Sequence, residues 1–274
     1  MNNESLKIGI TERGDAGINL SWVNKMHTVD GVVLITKNIT EQFKQVVLEQ
    51  YEQKKPVIVH CTCTGYGGTA LEPCVPNYKA QLDSLADLID RGFPACDCVL
   101  RIDPIFPSEK GLKKVREVMD YFISLQLDIR RIRVSIVDEY RHVKERYRQC
   151  GWNPLYGDNF GPSFEQVKAV ADVLNSYQGY AHYNIYNDQG NHYRFDFEMC
   201  AEDLLAEMVH GGQKLGCISL KDFDYLGFDE DYIDKKYLTE NPQGRKGCHC
   251  LSCKTELLTE RKPCPNGCVY CFWK

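Results

Sequence analysis

The chain has 274 residues, 43% of them hydrophobic and 26% charged, with a formal net charge of −5. That balance describes one large folded domain or two small ones, and excludes a surface built wholly for a polyanion while leaving room for a local basic groove. No apolar run is long enough to span a bilayer and the opening residues 1–7 lack the pattern of a secretion signal, so a cytoplasmic protein without membrane attachment is expected.

Apolar, β-branched runs alternate with helix-period segments over most of the length. Strand 6–11 leads to helix 20–26, strand 31–36 to helix 40–53, and strand 56–63 to helix 78–91. Strand 95–103 is followed by helix 111–127, and strand 132–137 by a turn-rich loop over 146–162 that suits a lid or substrate contact. Helix 163–176, strand 180–186, helix 200–210 and a weaker strand 214–219 complete the series. Thr40-Glu41 is a start signal for the second helix, and Ser163 with Gln166 resembles a capping box.

Repeated strand–helix units predict an α/β fold with a parallel sheet and right-handed crossovers. With six or seven strands and no GxGxxG after the first, a partial (β/α) TIM-like barrel fits better than a doubly wound sheet. The expected organisation is this barrel over residues 1–220 and a cysteine-rich appendage over 221–274, packed on the barrel and closing its mouth. After residue 219 the periodic pattern dissolves, and residues 222–237 are rich in Asp and Tyr.

Reactive groups of such barrels project from the carboxyl ends of the strands. The polar residues expected there are Glu12, Arg13 and Asp15, then Lys37 and Asn38, residues 64–68, Arg101 and Asp103, Asp138 and Tyr140, and Asn187 and Asp188. Arg101 and Asp103 are catalytic candidates, because a buried charge needs a partner; a structural ion pair is the alternative. Gly65, Gly67 and Gly68 either let backbone amides approach a cofactor or simply make a flexible turn. His60, His182 and His192 stand singly and read as structural histidines. Cys61, Cys63, Cys96 and Cys98 have the period of strands and read as packing, with a lumen-facing hydrogen-atom donor as the alternative.

Fourteen cysteines are many for a chain with no secretion signal, and clustered ones then read as metal ligands. Cys264-Pro-Asn-Gly-Cys268-Val-Tyr270-Cys271 sets three thiols at CxxxCxxC spacing. Three soft thiolates from one loop can hold three irons of a [4Fe-4S] cluster and leave the fourth open to a small molecule. A structural zinc site is the competing reading, although zinc usually takes four protein ligands from paired CxxC units. Cys248, Cys250 and Cys253 form a second group, either metal ligands or free thiols. The tail is locally basic, with Arg245, Lys246, Lys254, Arg261, Lys262 and Lys274 against Glu256 and Glu260. Such a patch suits an anionic cofactor or substrate, or is only a solvated surface.

The CxxxCxxC spacing, with Tyr270 before the third cysteine, resembles the cluster motif of radical S-adenosylmethionine (SAM) enzymes. Residues 65–76, with Gly65-Tyr66-Gly67-Gly68 and Glu72, resemble a signature of an uncharacterised bacterial family that carries this motif at its C-terminus. So do Arg101-Ile-Asp103-Pro-Ile-Phe-Pro107, Cys200-Ala-Glu202, Cys217 and residues 245–250. The family is similar to spore photoproduct lyase-like radical SAM proteins. The resemblance runs end to end, strongest at the tail and at residues 101–107. It implies a [4Fe-4S] cluster on Cys264, Cys268 and Cys271, with SAM bound near Gly65, Gly67, Gly68, Glu72 and Tyr270. It also implies a second metal site, iron–sulfur or zinc, on Cys200, Cys217, Cys248 and Cys250, and an electron donor such as flavodoxin or ferredoxin. Two departures stand out: Cys253-Lys-Thr-Glu replaces an Asp-Ile-Gly-like segment, and Thr11-Glu-Arg13-Gly-Asp15 replaces a Ser-Arg-Arg-Thr-Asp-like run.

On that resemblance the expected activity is reductive cleavage of SAM to methionine and a 5′-deoxyadenosyl radical that takes hydrogen from a substrate. A nucleobase, nucleotide or DNA is one substrate class, for modification or repair. The acidic total and the lack of a clear aromatic–basic stripe keep a small metabolite equally open. A zinc-stabilised binding protein and an iron–sulfur electron carrier are the alternatives.

Overall fold

The computed structural model describes residues 6–179, 194–241, 247–260 and 264–273. Eight parallel strands form one curled sheet, an open half-barrel, in the order β7-β6-β5-β4-β3-β2-β1-β8. The strands are β1 (Ile8–Ile10), β2 (Gly31–Thr36), β3 (Val57–Thr62), β4 (Cys98–Ile105), β5 (Arg131–Ile136), β6 (Asp196–Cys200), β7 (Gln213–Leu215) and β8 (Lys254–Glu256). The helices are α1 (Glu41–Glu52), α2 (Tyr78–Asp90), α3 (Glu109–Ser124), α4 (Arg141–Gln149), α5 (Phe164–Asn175), α6 (Asp203–Met208), α7 (Leu220–Leu226) and α8 (Lys235–Leu238). Strand–helix alternation over β2–β6 yields the mixed α/β, partial TIM-like architecture that the periodicity predicts.

Alternation along each strand separates two faces. Leu34, Val59, Leu100, Ile132 and Val134 face outward, where Phe43, Leu82, Val118 and Phe122 from α1–α3 bury them. Ile8, Val33, Ile58 and Val99 face the concave side and meet Phe223 and Leu226 of α7 and Leu251 of the C-terminal segment. Removing such apolar surface from water contributes about 25 cal/mol per Å². Caps fix the helix starts. The Thr40 hydroxyl accepts from the Phe43 amide at 3.1 Å, and Ser163 and Gln166 form the expected capping box.

The concave side of β5 and β6 is charged. Arg131 reaches Glu198 at 2.6 Å and Asp222 of α7 at 2.5 Å, while Arg133 reaches Glu198 at 2.6 Å. All four side chains are buried, so the network holds α7 against the sheet only while every partner is present.

Several elements depart from the sequence pattern. Strand β6 and the later start of α6 replace a helix expected from residue 200, because Phe195, Phe197 and Met199 alternate into the outer core with the period of a strand. Helix α4 was not foreshadowed: it is charged on most faces and buries Val143 and Tyr147, one turn apart. The expected loop at 146–162 therefore begins inside its last turns. Helices α7 and α8 and strand β8 occupy the stretch expected to lack pattern. Strand β8 (Lys-Thr-Glu) has no apolar signature and owes its conformation to parallel pairing with β1. The segment 20–26 is part of a 3₁₀ helix, Leu20–Thr28. Cys96 sits exposed in a 3₁₀ turn before β4, whereas Cys61, Cys63 and Cys98 pack in the outer core, away from the concave face. The strand expected over 180–186, with His182, Asn187, Asp188 and His192, lies outside the described residues.

Candidate functional site

The loop carrying Cys264, Cys268 and Cys271 is hydrogen-bonded to residues that follow β1 and β3. Asn266 donates to the Asp15 carboxylate at 2.6 Å. The same carboxylate accepts from the Thr36 hydroxyl at 2.6 Å and from the Gly17 and Lys37 amides at 2.9 and 2.8 Å. Burial pushes the Asp15 carboxyl above its ordinary value, against the pull of these donors. Tyr270 donates its hydroxyl to Glu72, and the Val269 amide donates to the Leu71 carbonyl at 3.0 Å. Gly267, at φ +68°, makes the turn between the first two cysteines, a left-handed conformation open to glycine at little cost.

Glu72 is the hub. It is 1% exposed, and it also accepts from the Lys37 ammonium at 2.8 Å and from the Thr64 hydroxyl at 2.6 Å. Burial works to raise the Glu72 carboxyl, but the ammonium and the two hydroxyls override it and hold it below its ordinary value. Lys37 in turn stands beside Cys268. Burial pushes the Cys268 thiol up to about 12, against the pull of that ammonium. Burial also raises Cys264, and Cys271 lies within electrostatic reach of both other thiols. Soft thiols, a buried cation and a ring shield fit an anionic iron–sulfur cluster in donor chemistry. Phe106 supplies the shield, packing between Tyr66 and Tyr270 at 5.1 and 5.4 Å. Among the described residues, no three His, Cys, Asp or Glu side chains are gathered to hold a single metal ion.

The glycine turn after β3 is brought to this loop. A Cβ on Gly67 would stand 1.8 Å from the Pro76 carbonyl oxygen, so the turn closes on itself only with glycine there. It presents Glu72 to Tyr270, and Gly65 and Gly68 take positive φ within it. Beside Cys264 opens a cavity of about 200 Å³, lined by Arg13, Asp15, Asn19 and Glu260.

Arg101 and Asp103 lie on the concave side of β4 as an ion pair, with Ser135 donating to the other Asp103 oxygen. One terminal nitrogen of Arg101 is buried without a partner, as are both His60 ring nitrogens and the Thr62 hydroxyl next to it. Thr62 and Arg101 are opposite each other in the β3–β4 register. Burial, with Arg133 and Arg101 nearby, holds His60 well below its ordinary value, so the ring is neutral. Arg101, His60 and Thr62 thus carry buried polar atoms without a partner on two adjacent strands, which is costly unless something polar meets them. His60 reads in the sequence as a structural histidine, yet neither ring nitrogen finds a partner, and Thr62 carries no signal, since each is an isolated polar residue in an apolar strand.

The second cysteine group assembles in part. The sulfurs of Cys200 and Cys217 are 3.4 Å apart, and the Cys217 amide donates to Cys250 at 3.3 Å. Cys248 is half-buried at the edge of this cluster, and Cys253 is buried in it. The Cys200 and Cys250 thiols hydrogen-bond Cys217 and hold it well below its ordinary value, helped by Arg101 and Lys254. Burial and the Cys217 charge push the adjacent Glu12 carboxyl up to about 8, opposed by Lys254 at 2.6 Å.

No helix among the described residues is long and apolar enough to cross a membrane. No curated protein and no solved structure is similar to the chain. Residues 18–273 match the family described as Domain of unknown function (DUF1848), and the chain accordingly belongs to that family.

Proposed function

We propose that the chain is a radical SAM enzyme in which Cys264, Cys268 and Cys271 hold a [4Fe-4S] cluster. When bound, the cluster supplies the electron that cleaves SAM into methionine and a hydrogen-abstracting 5′-deoxyadenosyl radical. One observation carries this reading: the cysteine loop is hydrogen-bonded to Asp15 and Glu72, beyond the carboxyl ends of β1 and β3, where barrel enzymes build their sites. The tail so bound acts as the cap on the barrel mouth.

The chain's own residues then have separable roles. Lys37 sets a positive charge beside Cys268, and Glu72 and Tyr270 fix the loop's position. Phe106 and Tyr66 keep water from the thiols, which matters for a reactive radical. The cavity beside Cys264 receives the methionine end of SAM, with Arg13 available to its carboxylate. Arg101, His60 and Thr62 on the concave wall hold a polar substrate, and a nucleobase or nucleotide has the donor and acceptor edges for that. Cys200, Cys217, Cys248 and Cys250 are the ligands of a second site, iron–sulfur or zinc. A flavodoxin- or ferredoxin-type protein supplies the electron.

The test is iron, sulfide and zinc quantitation on anaerobically prepared protein, paired with an assay for 5′-deoxyadenosine after reduction. Iron with SAM cleavage is the expected result, with cleavage lost and the iron content lowered in Cys264→Ser, Cys268→Ser and Cys271→Ser. Zinc without iron points to a zinc-stabilised binding protein and ends the enzyme reading. Iron with intact SAM points to an electron carrier.

A further inference from the structure

Phe160, Phe272 and Trp273 are 50%, 46% and 51% exposed, unusual for large apolar rings. They are not scattered. Tyr140 packs against Phe160 at 4.8 Å and Phe272 at 4.6 Å, and Phe272 packs against Trp273 at 4.9 Å. The Arg13 guanidinium lies 5.0 Å over Trp273 and extends the ridge by a cation. His142 touches Tyr140 and Phe272 at 5.7 and 5.6 Å. Helix α4 flanks the ridge with Arg141 and Arg148, both exposed. A shallow cleft of about 290 Å³ joins them to Phe160, Lys144, Glu139 and Asp158. Glu139 of the cleft is already engaged, accepting from the Leu155 and Tyr156 amides, and on α4 Glu145 pairs with Arg141 at 3.1 Å.

The same helix holds the cysteine loop by its main chain. Arg146 donates to the Val269 carbonyl at 2.7 Å and to the Cys271 carbonyl, and His142 meets the Phe272 carbonyl at 3.1 Å. We propose that this aromatic ridge and the basic face of α4 form the docking surface for an acidic one-electron carrier protein that delivers its electron to the C-terminal cysteine loop. The proposal rests on the cluster reading above. A carrier seated here touches the chain segment that follows Cys271 directly, with no need to enter the barrel.

Three features select the occupant. Exposed aromatic anchors with a basic rim are an interface signature, and opposite charge speeds encounter. Redox encounters use small contact areas, below about 1,200 Å², which a short ridge can supply. A single-stranded nucleic acid fits less well. The rings meet edge to face, at 88° for Tyr140–Phe160 and 77° for Phe272–Trp273, and so cover one another's faces instead of offering open platforms for bases.

The test uses full-length, anaerobically loaded protein and photochemically reduced flavodoxin as the probe. Cluster reduction is followed by stopped-flow bleaching of the visible absorbance. The variants are the pair Arg141→Glu/Arg148→Glu and, separately, Phe160→Ser, all remote from the cysteines in sequence. Flavodoxin reduction is expected to slow about ten-fold or more in the charge-reversed pair at low salt, a loss of electrostatic steering. Dithionite, too small to need a docking face, should reduce all forms alike. Flavodoxin rates equal in the wild type and both variants overturn the docking face and leave the cluster reading standing. Protein that loads no iron overturns the cluster reading and this proposal together. Loss of oligothymidylate binding in the variants, with flavodoxin rates unchanged, assigns the ridge to nucleic acid and also overturns it.

Discussion

Replacing Glu72 by Ala removes the only carboxylate that Lys37 pairs with among the described residues, and leaves Tyr270 and Thr64 without their acceptor. Lys37 is mostly buried, its side chain 16% exposed, so its charge cannot simply return to water. Removing one partner of a buried pair costs about 3–5 kcal/mol, most of it the uncompensated charge. A second substitution isolates that cause. In a Lys37→Met background the charge is gone, and Glu72→Ala should cost about 2 kcal/mol less, within the coupling range of contacting residues. Urea unfolding followed by far-ultraviolet circular dichroism measures all four corners of the cycle. Deuterium uptake should rise first in residues 264–273, since the loop loses its bond to the site before the sheet opens. Costs that add to within about 0.5 kcal/mol would refute the reasoning and reduce Glu72 to a packing residue.

Glu198 makes stability depend on acid. Burial would raise its carboxyl, but Arg133 and Arg131 hold it well below its ordinary 4.5 in the folded chain. A depressed folded value contributes stability that is complete above about 4.5 and lost as pH falls toward the folded value. Urea midpoints should therefore drop between about pH 4.5 and 3, and Glu198→Gln should flatten that drop while lowering the midpoint at neutral pH. Gly67→Ala forces a backbone shift against the Pro76 carbonyl and should cost about 1–3 kcal/mol, read as a lower thermal midpoint. An unchanged midpoint would mean that the turn is soft. Asn266→Ala deletes the 2.6 Å bond to Asp15, about 1.5–3 kcal/mol for a bond to a charged group, so iron should leave the protein faster under chelator with the fold intact.

Particular residues mark the line between what was legible and what was not. Strands β2, β3 and β5 and helices α1, α2 and α5 were readable to within a residue or two, because their apolar residues repeat with a clean period and their first turns carry caps. Strand β8 was not: Lys254, Thr255 and Glu256 are a strand only because the β1 edge pairs with them. Helix α4 was missed for a related reason, since its apolar stripe is two residues wide. At the site, the three thiols were identifiable from spacing, and Tyr270 and Glu72 through the family resemblance that their segments carry. That Lys37 would meet Glu72 was not, because 35 residues separate them and only the sheet brings their strand ends together. His60 and Thr62 were invisible as a group, since one polar residue in an apolar strand gains meaning only from the neighbour opposite it.

The sequence by itself determined the local quantities: periodicity, caps, turn glycines, and three thiols on one loop. These follow from chemistry within a few residues of each position. The tertiary structure decided everything that depends on separation in space. It tied the tail to Asp15 and Glu72, buried a cation beside Cys268, paired Arg101 with Asp103, and gathered rings from residues 140, 160, 272 and 273 into one exposed ridge. Burial and charge act through distance, and distance between remote residues is set by how the sheet curls and which edges it leaves to be filled.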